Sequence, residues 1–120
     1  MLLGMKSEKI GFLLRSSASS LQLRAALQKG VEYTSRLTET QREVAELQSQ
    51  YKTVTQEQNR VRNSLDKVPA NTPLQKRYLE KLDKQETEIE KLQAQIEEKQ
   101  RREKEQRKEL EQYLAGLTVE

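Results

Sequence analysis

Cysteine, histidine and tryptophan are all missing from this 120-residue chain, and phenylalanine occurs once. Without cysteine there is no disulfide and no thiolate. Without histidine there is no imidazole, so the usual metal-ligand sets and the Cys- or His-based nucleophilic and acid–base arrangements are excluded. There are four glycines, all isolated, and no glycine-rich phosphate loop. No run of 18 apolar residues occurs, so the sequence offers no membrane span. The opening "MLLGMKSEKIGFLLRSSASS" has the outline of a leader, but Lys6, Glu8 and Lys9 interrupt its apolar run. Only a third of the residues are apolar and a third are charged, too little apolar material for a compact globular core. Carboxylates are abundant but fall on solvent-facing positions of the helices proposed below. Nothing pairs or buries two of them for acid–base work, so no catalytic residue, cofactor or metal ligand is expected.

The two prolines are as informative as the absences. Pro69 and Pro73 are the only ones, and more than forty residues on either side have none. What lies on either side is periodic. From Val44 onward, Leu47, Tyr51, Val54, Gln58, Val61, Leu65 and Val68 follow at alternating steps of three and four, the a/d pattern of a helical seam. Backwards the pattern passes through Thr40, Leu37, Tyr33, Gly30, Ala26 and Leu23. Beyond the prolines a second seam runs through Tyr78, Leu82, Gln85, Ile89, Leu92, Ile96, Lys99, Glu103, Gln106, Leu110, Tyr113 and Leu117. This periodicity argues against disorder despite the polar composition.

Local signals divide the two helices. Ser19 with Gln22 fits a capping box at the first helix start. Pro69 disfavours helix at Val68, so that helix should end near Lys67. Thr72 is a suitable N-cap, Pro73 fits the first helical position, where its missing N–H costs nothing, and Gln75 completes a second capping box. A connection so short makes the helices antiparallel neighbours. Folding the chain at residues 71 and 72 sets Leu65 against Tyr78, Val61 against Leu82, Val54 against Ile89, Tyr51 against Leu92 and Leu47 against Ile96. The two seams agree in register. The predicted fold is all-α: a long antiparallel two-helix coiled-coil hairpin over residues 20–117 with its turn at 68–73. A short N-terminal extended or β segment (1–19) precedes it and a tail (118–120) follows.

Three groups of residues are candidates for contact with partners. Gln58 falls opposite Gln85, a polar pair within the seam that would fix register at some cost in stability. Arg60, Arg62, Asn63 and Arg77 sit near the turn, the most exposed end of a hairpin; a salt-bridge network across the helices is the plainer reading of the same residues. At the other end Leu21, Leu27 and Val31 would meet Leu110, Leu114 and Leu117. That is more apolar surface than a two-helix seam covers, and the run Ile10 to Leu14 or another protein domain is a candidate cover. The charge run "QRREKEQRKELEQ" reads as a solvated face with i,i+4 pairs at Glu98–Arg102 and Glu103–Arg107 and a repulsive Glu105–Glu109. Its seam positions Lys99, Glu103 and Gln106 predict loose packing there.

The sequence pI is near 9.2, but the excess is thin. Residues 74–117 hold 11 basic and 11 acidic side chains, and residues 20–66 hold seven and six. No concentrated basic face is expected, and a polyanion partner needs one.

The stretch "EQNRVRNSLDKVPANTPLQKRYLEKLDKQETEIEKLQAQI" resembles the C-terminal helical region of an uncharacterised bacterial family related to mucoidy inhibitor A. The residues that carry the resemblance are Gln58, Arg60, Val61 and Arg62, then Arg77, Tyr78, Leu79, Lys81, Leu82, Gln85 and Glu86. "EKIGFLLRSSASS" is similar to the strand and cap that precede the helix in that family, and "LEQYLAGL" to its ending. The resemblance implies that the chain is the C-terminal part of a larger, β-rich protein, with Ile10 to Leu14 as the last strand of the missing domain. It implies no enzymatic activity, and it leaves an extracytoplasmic location open.

Together these features predict a non-catalytic hairpin that acts as a spacer or as a protein–protein interaction and oligomerisation module, with self-association expected. The alternatives are a nucleic-acid-binding helical arm and a chaperone-like tentacle.

Overall fold

The structure, a computed structural model, describes residues 21–117. The expected N-terminal segment, with its Ile10–Leu14 strand and Ser19 cap, and the tail at 118–120 lie outside the described residues. The fold is all-α: helix α1 spans Leu21–Leu65, helix α2 spans Pro73–Leu117, and the two pack against each other as a helical hairpin. The helices group into two compact units, residues 41–101, which include the turn, and a base unit that pairs residues 21–40 with 102–117.

The turn shows how the prolines act. α1 ends two residues earlier than the proline alone predicts, and its end tightens. Asp66 N–H still reaches the Arg62 carbonyl, but Lys67 and Val68 bond three residues back, to Ser64 and Leu65. Asn71 then takes a left-handed conformation at φ 62°, which asparagine tolerates better than most residues. The Thr72 hydroxyl accepts the Gln75 N–H at 3.2 Å and donates to the Pro69 carbonyl at 2.8 Å. Gln75 Oε1 reaches past the cap and accepts from the Asn71 N–H at 2.8 Å. The Thr72 half of the expected capping box forms, and only its return bond is displaced by one residue, to the N–H of the left-handed Asn71.

Both seams are inward. In residues 41–101, Val44, Gln58, Val61, Ile89 and Leu92 are buried, and the remaining seam positions from Leu47 to Ile96 are half-buried. In the base unit Leu27, Leu37, Leu110 and Leu114 form one cluster, flanked by Leu23, Tyr33, Tyr113 and Leu117. Thr40 occupies a seam position and is also buried. Its hydroxyl is satisfied locally, donating to the Arg36 carbonyl at 3.1 Å, the standard way for threonine to lie inside a helix without an orphan group. Gly30 is the thinnest point of the seam: a Cβ placed there would lie 3.5 Å from both Tyr113 Cε2 and Leu114 Cδ2. Gly30 and Tyr113 thus face one another as the register predicts.

Candidate functional site

The turn end of the hairpin holds the most polar chemistry. Glu57 sits between two cations, accepting from Arg60 Nε at 3.1 Å on its own helix and lying 3.6 Å from Lys81 Nζ on α2. The Arg60 hydrogen bond comes first, and with the fields of Arg60 and Lys81 it holds the Glu57 carboxyl below its ordinary 4.5. Arg60 is raised in return, again through the Glu57 hydrogen bond. A cross-helix ion network therefore exists here, with Glu57 as its centre, a residue absent from the sequence-based candidates. Arg62, Asn63 and Arg77 are exposed and take no part in it.

The register pair resolves differently from its prediction. Gln58 is buried, and its amide donates to Glu86 Oε2 at 3.0 Å, not to Gln85. Gln85 is half-buried, and its Oε1 is shielded from water without a hydrogen-bond partner. The reason is reach: Glu86 lies on the flank of the seam with a flexible carboxylate that can swing over Gln58. Further along the same flank Gln93 Nε2 donates to the Tyr51 hydroxyl at 3.2 Å. On the other flank Lys99 Nζ pairs with Glu43 at 3.2 Å, so the polar seam position Lys99 finds a partner on α1.

In the base unit the apolar candidates separate. Leu27, Leu110 and Leu114 are buried and Leu117 packs against them. Leu21 and Val31 stay out, with 79% and 50% of their surface exposed, which corrects their place among the contacting residues. Leu27 is four residues past the seam residue Leu23, about 40° round the helix, whereas Val31 is about 80° and Leu21 about 160° from it. A flank position can turn inward; the latter two cannot.

An unpredicted polar–aromatic cluster lies beside that core. The Tyr113 hydroxyl donates to the Ala26 carbonyl, and the Tyr33 and Tyr113 rings meet at 5.2 Å between centroids with planes tilted by 53°, a favourable arrangement for aromatic rings. Lys29 Nζ lies 5.9 Å from the Tyr113 ring and the Arg36 guanidinium 5.7 Å from the Tyr33 ring, within cation–π range. The seam spacing marks both tyrosines, but only the packed pair shows that they touch. Next to Tyr33 is a shallow cleft of about 140 Å³ lined by Arg36, Arg102, Glu105, Gln106 and Glu109, well below the several hundred Å³ of a typical small-molecule site. Gln106 Oε1 is shielded there without a partner. Of the i,i+4 pairs expected in this region, Glu103–Arg107 closes at 2.8 Å and Glu98–Arg102 does not.

Among the described residues no group of three acidic side chains gathers where a metal ion could be held, and no helix is long and apolar enough to cross a membrane. No protein-family model, no curated protein and no solved structure matches this chain.

Proposed function

We propose that this chain is a non-catalytic helical hairpin that works as a spacer or a protein–protein interaction module, its contacts made by exposed side chains at the turn and along the helix faces. What supports this is the way the sequence distributes its residues. Among the described residues the seams take up most of the large apolar side chains, with Leu21, Val31, Leu74 and Leu79 left exposed, and the remaining surface carries charges and amides around a shallow cleft beside Tyr33. Such a surface suits polar docking of another polypeptide, where electrostatic complementarity sets partner and orientation. The resemblance carried by Gln58, Arg60, Arg62, Arg77, Tyr78 and Glu86 adds the proposal that the hairpin belongs to a larger bacterial protein.

One observation favours the rival nucleic-acid-binding reading: among the described residues, Arg62, Lys67, Lys76 and Arg77 form no ion pair, and all four are exposed at the turn. Fluorescence anisotropy with RNA and with duplex DNA at about 150 mM salt separates the readings. Binding no tighter than the roughly 10⁻⁴ to 10⁻⁶ M non-specific range is the expected result. Sub-micromolar binding lost in an Arg62→Glu, Arg77→Glu variant overturns the protein-only reading.

A further inference from the structure

The formal balance along α2 hides a segregation of charge. Residues 60–81, around the turn, carry six basic and two acidic side chains, whereas residues 82–98 carry two basic and six acidic. One end of the 41–101 unit is therefore net +4, and the stretch of α2 immediately behind it is net −4. The equal count over residues 74–117 thus holds for the helix as a whole but not for blocks of about twenty residues.

The cross-helix bonds show on which flank these charges lie. Glu57–Lys81 and Glu43–Lys99 mark one flank of the seam. Gln58–Glu86 and Tyr51–Gln93 mark the other. On this second flank Lys76, Leu79, Asp83, Glu86, Glu90, Gln93 and Glu97 follow one another at steps of three and four, hence on one face of α2. Its cation is at the turn end and its four carboxylates are behind. α1 borders the stripe with its own edge on that side, opposite the edge that holds Glu43 and Glu57. That edge is Gln41, Gln48 and Thr55, all uncharged, and then Arg62 at the turn end. Glu86 is held by Gln58, but Asp83, Glu90 and Glu97 have exposed side chains that form no ion pair among the described residues. Leu79, with 49% of its surface exposed, sits where the sign changes.

A face positive at one end and negative behind it is complementary to itself when turned round. We infer that this face is a self-association surface whose occupant is a second copy of the chain, docked antiparallel about a two-fold axis crossing α2 near residues 81–83. Lys76 of each copy then lies over Glu86 and Glu90 of the other, Arg62, level with residue 81 of its own α2, faces Asp83 of the other copy and offsets the approach of the two Asp83 carboxylates near the axis, and the two Leu79 side chains are partly covered. The contact is isologous and closes at two copies, as self-complementary patches do. A parallel pairing of the same faces would set carboxylate on carboxylate, a like-charge juxtaposition that costs several kcal/mol. This inference rests on the interaction-module reading and adds to it the partner and the surface.

Charge-swap sedimentation tests it. One full-length variant reverses the turn end (Arg62→Glu, Lys76→Glu) and the other reverses the stripe (Asp83→Lys, Glu90→Lys), which leaves the Gln58–Glu86 bond intact. Circular dichroism verifies helicity in each. The expected wild-type result is a monomer–dimer equilibrium at about 50 mM salt that shifts to monomer at about 500 mM, where screening shortens the reach of charges to a few ångströms. The first variant presents negative charge along the whole stripe, the second leaves only Glu86 and Glu97 negative among cations, and each alone loses at least about tenfold in association constant. Mixed one to one, they restore both contacts and form a heterodimer. A monomeric wild type at low salt, dimers indifferent to the reversals, or a mixture that stays monomeric each overturn the inference. Self-association that survives the reversals and is lost in Leu21→Asp, Val31→Asp moves the contact to the base; it overturns this surface while the interaction-module reading stands. That reading fails separately, on the nucleic-acid titration.

Discussion

Replacing Gly30 by alanine isolates a conflict between seam shape and helix propensity. Gly30 lies in the interior of α1, faces Tyr113, and is buried. A Cβ there meets Tyr113 Cε2 and Leu114 Cδ2 at 3.5 Å each, and Tyr113 Cδ2 at 3.8 Å. These are ordinary van der Waals distances, so the methyl fills space and displaces nothing. Alanine is favoured over glycine inside a helix by about 0.8–1.0 kcal/mol, chiefly through the entropy the unfolded chain no longer has to lose. Burying one methyl adds up to about 0.8 kcal/mol. The expected gain is about 1–1.5 kcal/mol, which for a chain of this size raises Tm by roughly 4–8 °C. Valine at the same site is the control: its γ carbons extend past the 3.5 Å contacts into Tyr113, which is anchored through its hydroxyl to the Ala26 carbonyl, and overpacking costs about 1–3 kcal/mol. Urea unfolding followed by circular dichroism measures both. A Gly30→Ala variant less stable than wild type would show instead that α1 and α2 approach more closely at Gly30 than the 3.5 Å contacts allow.

Three further outcomes follow from the same packing. Changing Gln58 and Gln85 together to leucine should raise stability by about 1–3 kcal/mol, because the unpartnered Gln85 Oε1 is removed and the Glu86 partner left behind is exposed to water; a net loss in the same urea assay would show that the amide is worth more than its burial. Leu110→Ala should cost about 2–5 kcal/mol, whereas Leu21→Ala stays within about 0.5 kcal/mol; equal effects would disprove the division of the base into inward and outward leucines. The Glu57 carboxyl, followed by NMR, should titrate below 4.5, and Arg60→Ala should move it back up. Because the folded value is the depressed one, the small stabilisation from this exposed group is present above its unfolded pKa and fades as pH falls through the folded value. An unchanged Glu57 titration in the Arg60 variant would assign the shift to some other group.

The two helices, the turn between them and the register in which they meet are legible in the residues alone. Each rests on an interaction that is local or periodic. Pro69 and Pro73 act through backbone sterics on their immediate neighbours, Thr72 and Gln75 through bonds three or four residues long, and the three–four spacing from Leu23 to Val68 and from Tyr78 to Leu117 by placing apolar groups on one line of each helix. What depends on angle and reach across the seam emerges only when the helices pack. Leu27 and Leu114 turn inward while Leu21 and Val31 do not, because rotation about the helix axis, not apolarity, sets burial. Gln58 bonds Glu86 in preference to Gln85, because a long flanking carboxylate can cross where a seam amide is held. Glu57 gathers Arg60 and Lys81 only once α2 lies alongside. The sign pattern of α2 is written in its residues, but it becomes a face only when Gln58–Glu86 and Glu57–Lys81 show which flank each charge occupies, since a helix has no flanks until a second helix packs against it.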